Sequence, residues 1–449
     1  MPQYITLLDY FLLPFYLVVI YTVAFKIRAK YYPWNHPWHP YFIPGLTVKI
    51  IGALGIGMLY QYYYGGYGDT MEYFKHTQII NSAMKESIFK WLGLILHIPN
   101  WYDGDYAEYL SQLYWYDSSA EFTVERLAAF FGAFTFTTYL PTSVMFAAFS
   151  YTGVWALYRT FAGQYPHLSK QLAIAILFIP STFMWGSGIF KDTICMFAIG
   201  WLTYTTFRML NIRQLKLSYV ALWLLSFILI AKVKVYILMA FAPALALWIL
   251  FNYLHKIKLK SVRFLIKGAL GAVMVAGFVL LSGRLSASLG KYSLENVANT
   301  VVTTRDWINA TSADQSATYN LGEFDPSIVG MLKKFPAAVN VSLFRPYIWE
   351  TKKIIQFLSA FEALAILVLT LKVIFSLGLA KTWKAISEDP NVQFCLIFTF
   401  IFAFAVGLSS FNFGTLSRYR IPCLPFYGAA LVIMYFKYNP PKRKFFFFW

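Results

Sequence analysis

The chain has 449 residues, of which 59% are hydrophobic and 13% are charged. Soluble domains carry about 25% charged residues, so this composition excludes an intrinsically disordered chain, a coiled coil and an ordinary soluble enzyme. The net charge of +18 comes from 38 basic and 20 acidic side chains. The three cysteines lie in or beside apolar runs, which excludes a disulfide framework and a CxxC metal site.

Long apolar runs recur along the whole chain. A bilayer core about 30 Å thick needs about 20 apolar residues in a helix. The sequence therefore predicts an all-α, polytopic membrane helical bundle of about eleven transmembrane helices. The predicted spans are residues 9–25, 43–62, 127–157, 171–188, 190–207, 217–231, 235–254, 264–282, 358–379, 392–410 and 421–436. The first span lacks the basic start and the cleavage site of a signal peptide, so we expect it to be retained.

Basic residues predict the orientation of this bundle. Half of the 38 basic residues fall in short turns on one side of the predicted membrane. Short loops rich in Lys and Arg mark the cytoplasmic side, so the N-terminus is predicted outside and the C-terminus inside. The positive charge is thus explained by membrane topology and gives no indication of nucleic-acid binding.

Two long loops on the outer side hold most of the acidic residues. Nine lie in residues 63–126 and six in residues 283–357. The first loop contains Tyr and Trp clusters and an amphipathic stretch around residues 77–96, which predicts short helices lying along the membrane surface. The second loop is the least hydrophobic part of the chain, and we expect it to form a small cap. Residues 1–449 otherwise form a single integral membrane domain in this interpretation.

Asp69 is the first candidate for chemistry. It follows three glycines just beyond the second predicted span and is surrounded by aromatic residues. A low dielectric there would raise the pKa of Asp69 and suit it to accept a proton. The alternative is a structural role, as the N-cap of a helix that starts near Thr70. Glu72, in the same segment, is interpreted as an orienting residue.

Cations in the outer turns are the second group of candidates. Charge is expensive in or beside a membrane, so positive residues that break the topology rule are functional candidates. They are Lys191, Lys232, Lys234, Arg345, Arg418 and Arg420. Asp192 would orient Lys191, or the two would simply neutralise each other. For the lysines at 232 and 234, snorkelling of the side chain to water would explain one of them more easily than both.

A cavity bordered by these cations would bind a doubly anionic headgroup, such as a lipid phosphate or diphosphate. Together with a nearby carboxylate base, such a cavity predicts a transferase that uses a phosphate-linked lipid donor. The six histidines show no metal-ligand spacing, and no cofactor or metal is expected. An acidic patch at Asp103, Asp105 and Glu108 would hold a divalent ion or be solvated, and we favour solvation because hard cations need more oxygen ligands.

Short motifs across the membrane region resemble the polytopic glycosyltransferases of the GT-C superfamily, including the mannosyltransferase type and related bacterial exopolysaccharide polymerase-like proteins. In that superfamily a catalytic aspartate lies in the first outer loop, as Asp69 does here. The similar segments are Gly68-Asp69-Thr70, Pro180-Ser181, Trp185-Gly186-Ser187-Gly188, Lys191-Asp192, Phe344-Arg345-Pro346, Trp349-Glu350 and Arg418-Tyr419-Arg420-Ile421-Pro422.

The resemblance implies a polyprenyl-phosphate-linked sugar donor and a glycan, lipid or protein acceptor at the outer face of the membrane. It implies that Asp69 deprotonates the acceptor hydroxyl, which then attacks the anomeric carbon. It also implies that Lys191, Lys232, Lys234, Arg418 and Arg420 hold the leaving lipid phosphate; Arg345 belongs to the same set of candidates. The expected location is a bacterial inner membrane, with membrane lipids and other membrane proteins as partners.

Three other functions fit the same sequence features. A polymerase or ligase that joins lipid-linked oligosaccharides would use arginine-rich outer loops equally well. A transporter or flippase for a lipid-linked substrate would need charges near the membrane midplane and broken helices. A non-catalytic subunit of an envelope complex would use the aromatic outer loops for docking.

Overall fold

The computed structural model describes residues 2–254, 318–322, 328–351 and 354–439, together with positions 262, 265, 266, 268 and 269. Within these residues the regular structure is helical, and the only β pairing is an isolated antiparallel bridge between Thr318 and Asn412. The expected all-α fold is therefore confirmed for the described residues. The predicted span 264–282 lies outside them, apart from those few single positions.

Eighteen α-helices have both ends among the described residues. In chain order they are α1 Leu7–Tyr31, α2 His39–Met58, α3 Asp69–Ser82, α4 Ile88–Leu96, α5 Ala107–Leu110, α6 Ser119–Phe134, α7 Tyr139–Gln164, α8 Ser169–Leu177, α9 Pro180–Trp185, α10 Lys191–Thr206, α11 Leu217–Val233, α12 Val235–Leu254, α13 Ile328–Lys333, α14 Phe335–Phe344, α15 Ile354–Glu388, α16 Pro390–Ser409, α17 Phe413–Tyr419 and α18 Leu424–Tyr438.

Several of these helices have the length and composition of membrane spans. Among the described residues, six are long and apolar enough to cross a bilayer. They are Leu7–Tyr31, His39–Tyr63, Tyr139–Gln164, Val235–Leu254, Gln356–Glu388 and Pro390–Ser409. The pair α17 and α18, bent by 66°, makes a seventh if it is counted as one broken span. These helices suggest a multi-pass membrane protein, whereas the number of eleven spans and the orientation stay predictions.

Two of the predicted spans are interrupted in the structure. Residues 127–157 are divided between α6 and α7, because Phe136 and Thr137 adopt left-handed backbone angles with φ of 53° and 51°. Residues 171–188 are divided into α8, α9 and a non-helical stretch. The breaks therefore fall at positions that hydrophobicity alone does not mark.

The chain divides into two compact units, which we call unit 1 and unit 2. Unit 1 comprises residues 1–169 and 180–235, and unit 2 comprises the described parts of residues 170–179 and 236–449. In unit 1, α7 packs against α2 and α10. Glycines allow the closest approach, since a Cβ on Gly200 would lie 1.9 Å from the carbonyl oxygen of Gly153. Small residues at such contacts are typical of packed membrane helices.

The non-helical stretch after α9 is buried beside α2. Residues 186–190 are all buried, and a Cβ on Gly52 of α2 would come within 2.2 Å of the Phe183 carbonyl oxygen. Backbone groups that leave a helix at membrane depth need other partners. Here the Gly186 carbonyl accepts from the buried Lys49 ammonium and from the Ser150 hydroxyl, the latter at 2.8 Å.

Unit 2 has an aromatic core of its own. Phe241 of α12 packs edge-to-face on Phe398 of α16 and also contacts Phe426 of α18. In addition, α14 lies so close to α16 that a Cβ on Gly407 would come within 2.2 Å of the Ala338 carbonyl oxygen. Unit 2 is therefore held together by ring packing and close backbone contact.

Candidate functional site

Asp69 lies at the first position of α3. The preceding Gly68 has a φ of 115° and occupies the N-cap position, with no side-chain capping hydrogen bond. A Cβ at Gly68 would lie 2.4 Å from the Tyr60 ring, so only glycine fits this turn. Asp69 is exposed rather than buried among aromatic rings.

The carboxylates of α6 form the centre of a charged cluster in unit 1. Glu121 and Glu125 lie one helical turn apart and therefore share a face of α6. Glu121 accepts hydrogen bonds from the ammonium of Lys191, at the start of α10, and from the Ser118 hydroxyl. Burial raises the pKa of Glu121, but these two hydrogen bonds outweigh burial and leave that pKa below its ordinary value.

Asp192 and Lys234 form a second, more deeply buried pair in the same unit. The Lys234 ammonium lies 2.5 Å from Asp192 Oδ1, and the Asp192 side chain has no exposed surface. This contact joins the start of α10 to the residue that follows α11. Lys191 and Asp192 thus do not neutralise each other, because each contacts a residue distant in sequence. Lys232, by contrast, is exposed.

Glu125 and His76 form a third pair, which sequence reasoning missed. His76 Nδ1 lies 2.8 Å from Glu125 Oε1, and neither side chain has any exposed surface. The geometry of this contact is not that of a hydrogen bond, and within the described residues none of the four polar side-chain atoms of the pair has a hydrogen-bond partner. Burial raises the pKa of Glu125 above its ordinary value, and the contact with His76 opposes this rise without cancelling it. A glutamate inside the apolar run of α6 was the signal available in the sequence.

Aromatic side chains cover this third pair. The Tyr114 ring meets the His76 imidazole edge-to-face at 4.3 Å between centroids, and the Trp115 ring lies 5.4 Å from it. The Tyr114 hydroxyl donates to Glu72 at 2.5 Å. Glu72, expected to orient the catalytic group, therefore holds a tyrosine that lies over His76.

In unit 2, Arg420 is a fully buried junction between helices. Its two terminal nitrogens donate to the carbonyl oxygens of Ser342 and Arg345 and to both oxygens of Ser359. One of them also lies 3.3 Å from Glu362 Oε1 on α15. The terminal nitrogens of Arg420, which the sequence predicted to bind a phosphate, are thus surrounded by acceptor groups of the protein.

Arg345 lies next to Arg420 in unit 2 and also has a carboxylate partner. Its guanidinium donates to both carboxylate oxygens of Glu350, with Nε at 3.0 Å. The rings of Tyr319 and Phe413 lie 5.8 Å and 5.2 Å from its central carbon. Arg418 is half-buried near the end of α17. The structure therefore brings Arg345 and Arg420 together, through a hydrogen bond of 2.8 Å from Arg420 to the Arg345 carbonyl.

Metal ligands do not converge in the part of the chain that the structure describes. No group of three or more His, Cys, Asp or Glu side chains there is arranged to hold a metal ion. The acidic patch includes Asp105 and Glu108, which are exposed, and Asp103, which is half-buried. The absence of a resident metal stays a prediction.

Comparison with known proteins gives no relative from which a role for these residues could be taken. No protein-family model, curated protein or solved structure matches the chain. The assignment of function therefore depends on the residues themselves.

Proposed function

We propose that this chain is an integral membrane glycosyltransferase of the GT-C type, which transfers a sugar from a polyprenyl-phosphate-linked donor to an acceptor outside the membrane. One observation carries the proposal. At the start of α10, Lys191 contacts Glu121 of α6, and the adjacent Asp192 contacts Lys234. Acidic and basic groups from distant parts of the chain are thus gathered in one place, in a chain dominated by apolar helices.

The chemistry requires a site for a phosphate and a group that accepts a proton. Lys191 and Lys234 each contact a carboxylate, and their ammonium groups can make the same charge-assisted hydrogen bonds to the phosphate of a lipid-linked donor. As the bond between sugar and phosphate breaks, negative charge grows on the leaving oxygen and these lysines offset it. Lys232 is a further member of the proposed phosphate site, and Asp192 orients Lys234. A phosphate-binding role for Arg345, Arg418 and Arg420, which belong to unit 2, stays a prediction from the sequence.

The finer points of membrane placement also belong to this proposal. Eleven spans, an outer N-terminus and a bacterial inner membrane would place the α3–α6 segment on the outer side, where a lipid-linked donor is presented. Asp69, exposed at the start of α3, is the carboxylate base that the resemblance implies. The donor lipid, the acceptor and membrane lipids are the partners of such an enzyme.

The direct test is sugar transfer by the purified protein in vesicles, using a panel of radiolabelled polyprenyl-phosphate sugars. We expect Lys191→Met to lower kcat/KM for the donor about tenfold or more, the loss expected when a charge-stabilising contact is removed. Lys90→Met is the matched control, because Lys90 also pairs with a glutamate, Glu86, but does so on the exposed surface of α4. Failure of the wild-type protein to transfer sugar from any donor in the panel would contradict the proposal.

A second candidate function, transport of a lipid-linked substrate, is favoured by one specific observation. Lys49 lies near the middle of the membrane-length helix His39–Tyr63 and is buried against the non-helical residues 186–190. A buried charge beside a broken helix near the midplane is a common feature of transporters. Vesicles containing a fluorescent polyprenyl phosphate test it: transport predicts protein-dependent exposure of the inner-leaflet label to a membrane-impermeant quencher. Exposure at the rate of protein-free vesicles would exclude this candidate.

A further inference from the structure

We infer that the buried pair of His76 and Glu125 accepts the proton of the acceptor hydroxyl, which enters beneath Tyr114. The inference rests on the proposed function and names the proton-accepting group of that same site. The pair combines helices α3 and α6, with 2.8 Å between His76 Nδ1 and Glu125 Oε1. Its position differs from that of Asp69, which is exposed at the first position of α3, about two helical turns before His76.

The distal atoms of the pair indicate that a third group belongs there. Buried polar side-chain atoms in folded proteins nearly always have a hydrogen-bond partner. His76 Nε2 and Glu125 Oε2 are both buried, and the described residues supply neither of them with one. Because Nδ1 is the nitrogen that faces Glu125, at 2.8 Å, we place the lone pair of the neutral imidazole on Nε2. A hydroxyl group would donate to that lone pair.

The two carboxylates of α6 have different environments, as acid–base sites require. Glu121 is bound by an ammonium and a hydroxyl, so it is held ionised. Glu125, one turn further, is buried and faces an imidazole instead. When neighbouring titratable groups differ in this way, the contrast identifies which group stays charged and which exchanges protons. Here Glu125 with His76 is the exchanging member.

Other charged groups face the pair from the elements around it. On α3 they are Glu72 and Lys75, which lie 4.0 Å apart. On α6 and α10 they are Glu121 and Lys191, which also act electrostatically on Glu125. Because each of these two sets contains one acid and one base, neither adds a net charge next to the pair. Burial therefore remains the main cause of the raised pKa of Glu125, and the contact with His76 opposes it.

The proposed step is a displacement at the anomeric carbon of the donor sugar. The acceptor O–H gives its proton to His76 Nε2, and its oxygen forms a bond to the anomeric carbon of the donor sugar. The bond from that carbon to the phosphate oxygen breaks, and its electron pair leaves on the lipid phosphate. The Glu125 carboxylate stabilises the imidazolium that forms, as the carboxylate does in an acid–histidine pair of a hydrolase. The imidazolium then loses its proton to water.

Tyr114 controls access to this pair. Its ring lies over the imidazole, and 54% of its surface is exposed. The hydrogen bond from its hydroxyl to Glu72 holds it there. We infer that an acceptor reaches the pair by displacing this ring, which is exposed to solvent whereas His76 is not.

The experiment compares kcat and its pH dependence for four proteins that transfer sugar from the same polyprenyl-phosphate donor. They are the wild type, His76→Gln, Asp69→Asn and the control His97→Asn, whose exposed histidine has a left-handed backbone that asparagine tolerates. We expect His76→Gln to lose kcat about 100-fold or more, with donor KM changed less than threefold. The rising limb of the pH profile of kcat should disappear in His76→Gln. The control His97→Asn should keep the wild-type kcat and the rising limb.

Two further measurements separate chemistry from folding. Imidazole added to His76→Ala should restore transfer, and substituted imidazoles should restore it in proportion to their basicity. In wild-type protein, loss of activity on treatment with diethyl pyrocarbonate should follow modification of His76, as mapped by mass spectrometry. Full kcat in His76→Gln together with loss in Asp69→Asn would overturn the inference but leave the transferase intact. No transfer by the wild type would remove the proposed function itself.

Discussion

Two buried charged pairs, one in each unit, show how differently the same kind of interaction is used. In unit 2, Arg420 contacts Glu362 and also donates to the oxygens of Ser342, Arg345 and Ser359, so that only its Nε lacks a partner. In unit 1, His76 and Glu125 contact each other, and their distal atoms have no hydrogen-bond partner among the described residues. Burial is nearly complete in both pairs.

The difference separates structural charge from charge available to a ligand. A buried ion pair offsets its desolvation only when the remaining polar atoms are also hydrogen-bonded. Arg420 nearly meets that condition, and its hydrogen bonds join its own segment to the end of α14 and to α15. The His76–Glu125 pair does not meet this condition, because its polar atoms lack hydrogen-bond partners among the described residues. A third group that binds there would offset part of the desolvation cost of the pair.

Arg420→Met should destabilise the protein most. It leaves Glu362 as a buried carboxylate without its arginine, and breaking a buried pair in this way costs about 3–5 kcal/mol. Thermal unfolding of the detergent-purified protein measures the effect. The double variant Arg420→Met/Glu362→Leu should recover much of the loss, because it removes both charges. If Arg420→Met unfolds at the wild-type temperature, Arg420 is not the structural junction described here.

Lys191→Met should have an intermediate and pH-dependent effect on stability. The pKa of Glu121 is lowered in the folded state, so this contact stabilises the protein above the ordinary glutamate pKa and is lost as pH falls through the lowered value. Since the two side chains are about one-fifth exposed, we expect a loss of about 1 kcal/mol at neutral pH. Unfolding midpoints at several pH values should converge between variant and wild type in acid. Parallel curves would contradict the assignment.

Glu125→Gln should show the opposite pH dependence. The pKa of Glu125 is raised in the folded state, so its contribution is most favourable below the ordinary glutamate pKa and declines as pH rises through the raised value. The stability of Glu125→Gln relative to the wild type should therefore increase with pH, by about 1 kcal/mol for each unit of pKa shift removed. The same unfolding series measures this. A relative stability that falls with pH would show that the carboxylate is favourably ionised there.

Tyr114→Phe should produce the smallest change in stability, about 0.5 kcal/mol, because it removes one hydrogen bond at a partly exposed hydroxyl. Its effect should be on access instead. Carbethoxylation of His76 should become severalfold faster, while that of His97 stays unchanged. Equal rates for His76 in both proteins would show that the contact with Glu72 does not restrain the ring.

The sequence predicted the apolar helices well and the contacts between them poorly. Apolar runs are a local property, and six of them correspond to membrane-length helices. The interruption at Phe136 and Thr137 was not predictable, because neither residue type normally adopts positive φ. The extension of a span through residues 186–188 was also wrong locally, since buried polar partners replace helical bonds there.

The sequence predicted the cations of the candidate site and the acidic residues Asp69, Glu72 and Asp192, but not how they pair. Lys191, Lys234, Arg345 and Arg420 stand out as charges in apolar surroundings. The pairing does not follow from sequence, because Glu121 precedes Lys191 by 70 residues and Asp192 precedes Lys234 by 42. His76 was set aside because it lacks metal-ligand spacing, and nothing local marks its contact with Glu125. Long-range pairing is set by helix packing, which sequence patterns do not encode directly.

Labelling with a photoreactive polyprenyl phosphate tests the central claim most directly, since the claim is that unit 1 holds the lipid phosphate. Peptides labelled in the purified protein are identified by mass spectrometry, with unlabelled polyprenyl phosphate or phosphatidylglycerol as competitors. We predict that the peptides containing Lys191 and Lys234 are labelled. Unlabelled polyprenyl phosphate should suppress this labelling, and phosphatidylglycerol should not. Labelling that both lipids suppress equally, or that falls only on peptides containing Arg345 and Arg420, would contradict it.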